Sequence, residues 1–281
     1  MDLYNIFSYR IFTLLLTNVE QEVIFIRGGN MLTMQIIVFM LGLSIGSFLN
    51  VCIYRIPEGK SIAYPASHCP NCKHNLNAID LIPLLGYVIN KGKCRYCSTK
   101  ISIQYPIVEL ITGIVFIMLF NKFFISLEFA KFAVLASLLI AITVVDLERQ
   151  EIPDELIVFG LIAGLLYNLY HIKTDMIPGI LGFLAGGGLF LLIAIISNGA
   201  MGGGDIKLMA VLGLFFGWKL VLLIAFISFV IGAVISIALM AAKTKGLKDN
   251  IPFGPFIALS AFIVMFYGTQ ILHLYINSIQ N

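Results

Sequence analysis

Phe129-Ala130-Lys131-Phe132-Ala133-Val134-Leu135-Ala136-Ser137-Leu138-Leu139-Ile140-Ala141-Ile142-Thr143-Val144-Val145-Asp146 is an unbroken apolar run, with one cation near its start and one acid at its end. Wound as an α-helix at about 1.5 Å per residue, it covers most of the roughly 30 Å hydrocarbon thickness of a bilayer. The rest of the chain shares this character. Of its 281 residues, 59% are hydrophobic and 12% charged, and the mean hydropathy is +0.98. Soluble chains carry about 25% charged residues, so a single water-surrounded core is excluded and lipid must serve as the main solvent. The net charge of +3 gives no case for nucleic acid, because the basic residues sit in a few loops rather than along one binding face.

Outward from this run, eight candidate spans are read at 34–54, 105–121, 129–146, 156–170, 177–197, 206–218, 220–242 and 252–276. The predicted fold is an all-α polytopic membrane protein of about eight transmembrane helices. Trp218 and Lys219 alone separate the sixth span from the seventh. Lys and Arg are richer in cytoplasmic loops. With an outside start, Arg55, Lys60, Lys73, Lys91, Lys93, Arg95, Lys100, Arg149, Lys207, Lys243, Lys245 and Lys248 fall inside, against Lys122, Lys131, Lys173 and Lys219 outside. Residues 1–30 carry Arg10, Glu20, Glu22 and Arg27, too polar for a span, and lack a signal-peptide pattern. They read as an N-terminal extension from a mis-assigned start ahead of Met31 and Met34.

The long polar loop 55–104 contains Cys69-Pro-Asn-Cys72 and Cys94-Arg-Tyr-Cys97. Two such knuckles supply four thiolates in tetrahedral array, which suits a structural Zn²⁺ with no open position for water. The alternative is two disulfides or redox use, although thiols stay reduced in the cytosol, where the topology puts the loop. His68 and His74 flank the first knuckle. Cys52 reads as a small apolar packing residue.

Glu109, Asp146 and Asp205 are the main acids in or against apolar runs, and ionisable groups there are candidates for function. Asp146 ends the third span, and Asp205 follows Met201-Gly202-Gly203-Gly204 at the start of the sixth. The topology brings both to one face of the membrane. Two close carboxylates cannot both ionise cheaply, so they hold one proton between them. The ionised member then activates water while the protonated member donates to a scissile carbonyl. Gly202, Gly203 and Gly204 allow positive φ and close approach of a substrate strand, with Lys207 beside them. No lysine–serine pattern follows the glycines, which argues against a phosphate loop.

Together these motifs resemble the type IV prepilin peptidases, a branch of the Gly-x-Gly-Asp intramembrane aspartic proteases. The segments that carry the likeness are Gly46-Ser47-Phe48-Leu49-Asn50-Val51 with Tyr54-Arg55-Ile56-Pro57; the tetracysteine loop with Asp80, Ile82-Pro83 and Gly92-Lys93-Cys94-Arg95; Tyr105-Pro106 with Glu109; Asp146 through Asp154; and Gly202 through Leu208. The resemblance implies cleavage of prepilin or pseudopilin substrates at the cytoplasmic face, after the glycine ending a basic leader, with Asp146 and Asp205 as the catalytic pair. It implies zinc at Cys69, Cys72, Cys94 and Cys97, and N-methylation of the new terminus with S-adenosylmethionine. It places the protein in the bacterial plasma membrane. Residues 31–122 would then form a methylation-associated segment and 123–281 the peptidase domain. Glu109 and Asp80 are the candidates for the methyl-donor half. Gln104 stands where an Arg is common, and residues 1–30 have no counterpart. Two other classes compete: an ion- or proton-coupled transporter, and a non-catalytic zinc-bearing assembly factor.

Overall fold

The computed structural model describes residues 31–172, 174–199, 201–242 and 251–280. The expected N-terminal extension lies outside the described residues, as do Lys173, Lys243, Lys245 and Lys248. The elements are helices, in chain order α1 (Met31–Arg55), α2 (Leu85–Ile89), α3 (Gln104–Phe123), α4 (Leu127–Arg149), α5 (Asp154–Tyr170), α6 (Met176–Ile196), α7 (Gly203–Ala241) and α8 (Gly254–Gln280), with a 3₁₀ turn at Ile56–Glu58 after α1. Strand pairing among the described residues is limited to two isolated bridges in the cysteine loop.

Among the described residues, six helical segments are long and apolar enough to cross a membrane: Met31–Glu58, Gln104–Phe123, Leu127–Arg149, Met176–Ile196, Gly203–Ala241 and Gly254–Tyr275. The sequence-based expectation of eight also took the 17-residue Asp154–Tyr170 helix as a span, and it divided Gly203–Ala241 in two, where the structure breaks that helix at Gly217.

Local signals set the helix ends. The Ser126 hydroxyl accepts the Phe129 N–H at 3.1 Å, capping α4. Gln150 stops α4 in the left-handed conformation at φ 57°. Pro153 precedes α5, whose first turn carries Asp154 and Glu155 at the positive end of the helix dipole.

Small residues then let the helices approach closely, as they do in lipid-facing bundles. On α1, a Cβ added at Gly42 would lie 2.8 Å from Gly113 Cα of α3, and one at Gly46 would lie 2.7 Å from Glu109 Cα. A Cβ at Gly182 of α6 would lie 2.2 Å from the carbonyl oxygen of Gly213 on α7.

Helix α7 is not one rod. Gly186 packs against both Met209 and Val221, and Gly182 against both Gly213 and Gly217. In a straight helix Met209 and Val221 would stand about 18 Å apart, so the chain folds back on itself. The turn is Gly217, at φ 73° and ψ 171°, a conformation open essentially to glycine alone. Its two arms, 203–216 and 218–241, both lean on α6. Leu135, Leu139, Ile142, Leu208, Leu212, Ile224 and Ile257 are fully buried where α4, α7 and α8 meet.

A Cβ at Gly217 would meet nothing nearer than Pro178 Cβ at 3.5 Å, so the backbone conformation alone sets the cost of adding one. Gly217→Ala is expected to lower stability by about 1–3 kcal/mol, checked by thermal unfolding of the detergent-solubilised protein.

Candidate active site

Asp146 sits in the last turn of α4 and Asp205 in the first turn of α7. Both are buried, at 5% and 9% exposure. Three contacts bring their segments together. Gly204 packs on Ile152, in the α4–α5 connection, so tightly that an added Cβ would lie 2.8 Å from Ile152 Cβ. Lys207 Nζ pairs with Asp154 Oδ1 at 2.6 Å. The third contact is with α8: the Gly254 N–H donates to Asp146 Oδ2 at 2.9 Å in a buried hydrogen bond, and a Cβ on Gly254 would fall 2.6 Å from that oxygen.

The glycines before Asp205 do not behave as expected. None of the three takes positive φ. Gly202 is extended, at φ −65° and ψ 139°, and Gly203 begins the helix, so α7 starts without any left-handed residue. Close approach does hold at Gly204, filled by Ile152, while a Cβ on Gly203 would meet nothing within 4 Å. Asp154 is exposed and ion-paired to Lys207.

The acid pair and the cysteine loop occupy the same end of the bundle. Arg149, three residues beyond Asp146, reaches Glu58 of the 3₁₀ turn at 3.2 Å. Arg55, counted from sequence as a topological charge, is buried instead. It donates from Nη1 to the Ser61 carbonyl at 3.0 Å and from Nη2 to the Pro65 carbonyl at 2.7 Å, fixing the start of the loop.

The two knuckles fold alike. Cys69 N–H donates to the His74 carbonyl and Cys94 N–H to the Thr99 carbonyl, while Lys73 and Ser98 take matching positive φ values of 58° and 59°. All four thiols are free, and their sulfurs lie within 4.8 Å of one another. Cys69 Sγ and Cys97 Sγ are 3.8 Å apart, the separation expected across a tetrahedron with metal–sulfur bonds of about 2.3 Å. The group can hold a metal ion. Hydrogen bonds from the Thr99 side chain, then its backbone, draw the Cys97 thiol down to about 6, toward the thiolate that binds metal. The His74 ring lies on Tyr96 with centroids 3.7 Å apart.

Asp80 and Glu109 are both engaged within the protein. Asp80 takes Arg95 Nε at 3.1 Å, Asn90 Nδ2 at 3.3 Å, the Asn77 N–H at 3.2 Å and the Tyr96 hydroxyl at 3.4 Å, so it ties the second knuckle to the segment between the two. Glu109, buried in α3, accepts the Leu84 N–H at 2.8 Å. Gly254 went unnoticed in the sequence reading. The one local signal is the Pro255 that follows it, a residue favoured in the first turn of a helix.

A multi-pass helical bundle with two buried acids meeting at one end, beside a four-thiol loop, defines a membrane protein of the intramembrane acid-pair class. The model of the bacterial peptidase A24 N-terminal domain matches residues 40–123, and that of the type IV leader peptidase family matches residues 133–237. A prepilin leader peptidase/N-methyltransferase of Bacillus subtilis (strain 168) is 37% identical over 240 residues, covering 85% of this chain and 97% of that protein. One from Legionella pneumophila is 33% identical over 273 residues, covering 86% and 94%. One from Aeromonas salmonicida (strain A449) is 31% identical over 273 residues, also covering 86% and 94%. No solved structure matches. The chain belongs to the type IV leader peptidase family, and within it to the bacterial members that carry the A24 N-terminal domain.

Replacing Cys94 with serine leaves three thiolates for the metal. Bound divalent metal per chain, read by elemental analysis of the purified protein, is expected to fall at least about tenfold.

Proposed function

We infer that this protein cleaves the leader from type IV prepilin-like proteins and then methylates the new N-terminus. One observation carries the peptidase half: two buried carboxylates, at the end of α4 and the start of α7, lie on segments that touch through Gly204 on Ile152 and Lys207 on Asp154. Family membership and the names of the relatives support both halves.

In this reading Asp146 and Asp205 are the catalytic pair. Sharing one proton, the ionised carboxyl takes a proton from water as it attacks the scissile carbonyl, and the protonated carboxyl donates to the carbonyl oxygen. Collapse of the tetrahedral intermediate returns a proton to the leaving amine, and no covalent enzyme intermediate forms. The Gly254 N–H keeps Asp146 Oδ2 occupied as an acceptor, which fixes the carboxylate's rotation. The open side of Gly203 gives a substrate strand room to pass beside Asp205, with Gly202, Gly204 and Lys207 shaping the approach.

Cys69, Cys72, Cys94 and Cys97 would hold Zn²⁺, which in a site of four protein thiolates would serve the fold of the loop. S-adenosylmethionine, when bound, would supply the methyl group to the new amine, leaving as S-adenosylhomocysteine as the amine gives up a proton. Asp80 and Glu109 support that half by ordering the loop and holding it to α3. Residues 31–122 form the methylation segment and 123–281 the peptidase, with residues 1–30 outside both. The basic residues clustered in the loop and around the acid pair orient this end toward the cytoplasm, in the plasma membrane of a bacterium. A transporter would hold its acids near mid-membrane, whereas here both lie at one end. A non-catalytic assembly factor has no support among the relatives.

The test uses purified protein in detergent with a prepilin peptide. Asp146→Asn and Asp205→Asn are each expected to lower cleavage by roughly 10⁴-fold or more, read by mass spectrometry. Either variant cutting at the parent rate would overturn the assignment. Gly254→Ala thrusts a methyl into Asp146 Oδ2. It is expected to cut kcat at least about a hundredfold with KM little changed, while methylation of an already cleaved peptide persists.

A further inference from the structure

The cysteine loop carries an apolar face that its own fold leaves bare. On α2, Leu85, Val88 and Ile89 are 53%, 67% and 58% exposed. Their spacing puts them on one side of the helix. Leu81 and Ile82, just upstream, are exposed as well. The opposite side is fastened down: a Cβ on Gly86 would lie 2.3 Å from the Asp80 carbonyl oxygen. Domains surrounded by water rarely expose so continuous an apolar patch.

Two observations say what covers it. The first is depth. Leu84, the residue before α2, donates its N–H to Glu109 of α3 at 2.8 Å. Glu109 lies five residues inside a helix that spans the bilayer from Gln104 to Phe123. Helical side chains point back toward the N-terminus, so this bond holds α2 at the level of the first turns of α3, where Ile103 and Ile107 are also exposed. That level is the bilayer interface. The second is charge. Lys73, Lys91, Lys93 and Lys100 of the same loop are exposed, and none has an ion-pair partner among the described residues. An apolar face beside unpaired lysines fits a surface of anionic phospholipid.

We propose that the Leu81, Ile82, Leu85, Val88 and Ile89 face rests in the interface of the anionic bilayer, so that the four-cysteine loop lies along the membrane instead of standing off it in water. Lipid headgroups take the lysines, and the apolar side chains enter the headgroup–acyl boundary. This does not depend on the chemistry of the acid pair.

The test is a tryptophan reporter. The chain has one Trp, so Trp218→Phe removes the background and Val88→Trp places the probe. The full-length protein is reconstituted in vesicles of phosphatidylglycerol and phosphatidylethanolamine, with and without lipids brominated on the acyl chain. Emission is expected to be blue-shifted and quenched at least roughly twofold by bromine, with little quenching by aqueous acrylamide. Adding Lys91→Glu and Lys93→Glu is expected to weaken the bromine quenching. Water-like emission, open to acrylamide and indifferent to bromine, would overturn the proposal, as would quenching that appears only after a prepilin is added. A limited-proteolysis pattern matching the parent shows that the loop is folded. If Val88→Trp disturbs it, Ile89→Trp carries the same readings.

Discussion

Two carboxyl groups set among apolar helices are the constraint that the surrounding structure has to meet. A charge taken out of water is stable only with donors or a shared proton around it. Asp146 has the N–H of Gly254 at the start of α8, where helix amides lack partners of their own and the dipole favours an acid. Asp205 lies in the first turn of α7, near the same kind of positive end. Two helix starts and one helix finish therefore converge on the pair. The chain cannot satisfy this geometry with one element alone, and the site is assembled by α4, α7 and α8 together.

Close helix packing makes that convergence possible. Gly182 meets Gly213 backbone to backbone, and Gly186 meets both arms of α7. In lipid there is no hydrophobic drive between helices, so tight backbone contact and interhelical hydrogen bonds supply the association. The reversal at Gly217 lets one apolar stretch start and finish at the same end of the bundle. Its first arm delivers Asp205, and its second arm packs beside α8, whose first residue holds Asp146. Gly204 against Ile152 and Lys207 against Asp154 close the remaining gap, both within a few residues of the acids.

The chemistry-bearing side chains were legible in the sequence because they break local rules. An acid ending an apolar run and paired cysteines in a polar loop each contradict their surroundings. What supports them was not legible, because it depends on residues distant in sequence. Gly254 and Asp146 are 108 positions apart, and nothing near either one announces the bond. The same holds for Leu84 and Glu109, and for Ile152 under Gly204. Arg55 looked like one of several interfacial cations, yet burial turned it into a clamp on two loop carbonyls. The break at Trp218-Lys219 was visible as a polar interruption in an apolar stretch. That the turn itself falls on Gly217 follows from the backbone conformation, which composition does not encode. The glycines before Asp205 show the opposite error: flexibility was read from them, whereas the fold uses Gly204 for its lack of a side chain.

Placing the acid pair and the four-thiol loop at one end bears on how the two proposed reactions succeed one another. Methylation needs a free amine, and cleavage makes that amine at the bundle end where the loop also sits. One direct tie between the halves at that end is the Arg149–Glu58 pair, which is partly exposed, and ion pairs open to water add little. The loop is held more firmly from its own side, through Arg55, through Glu109 and through the α1–α3 glycine contacts. A loop held from its own side keeps its geometry without relying on the ion pair to the peptidase helices.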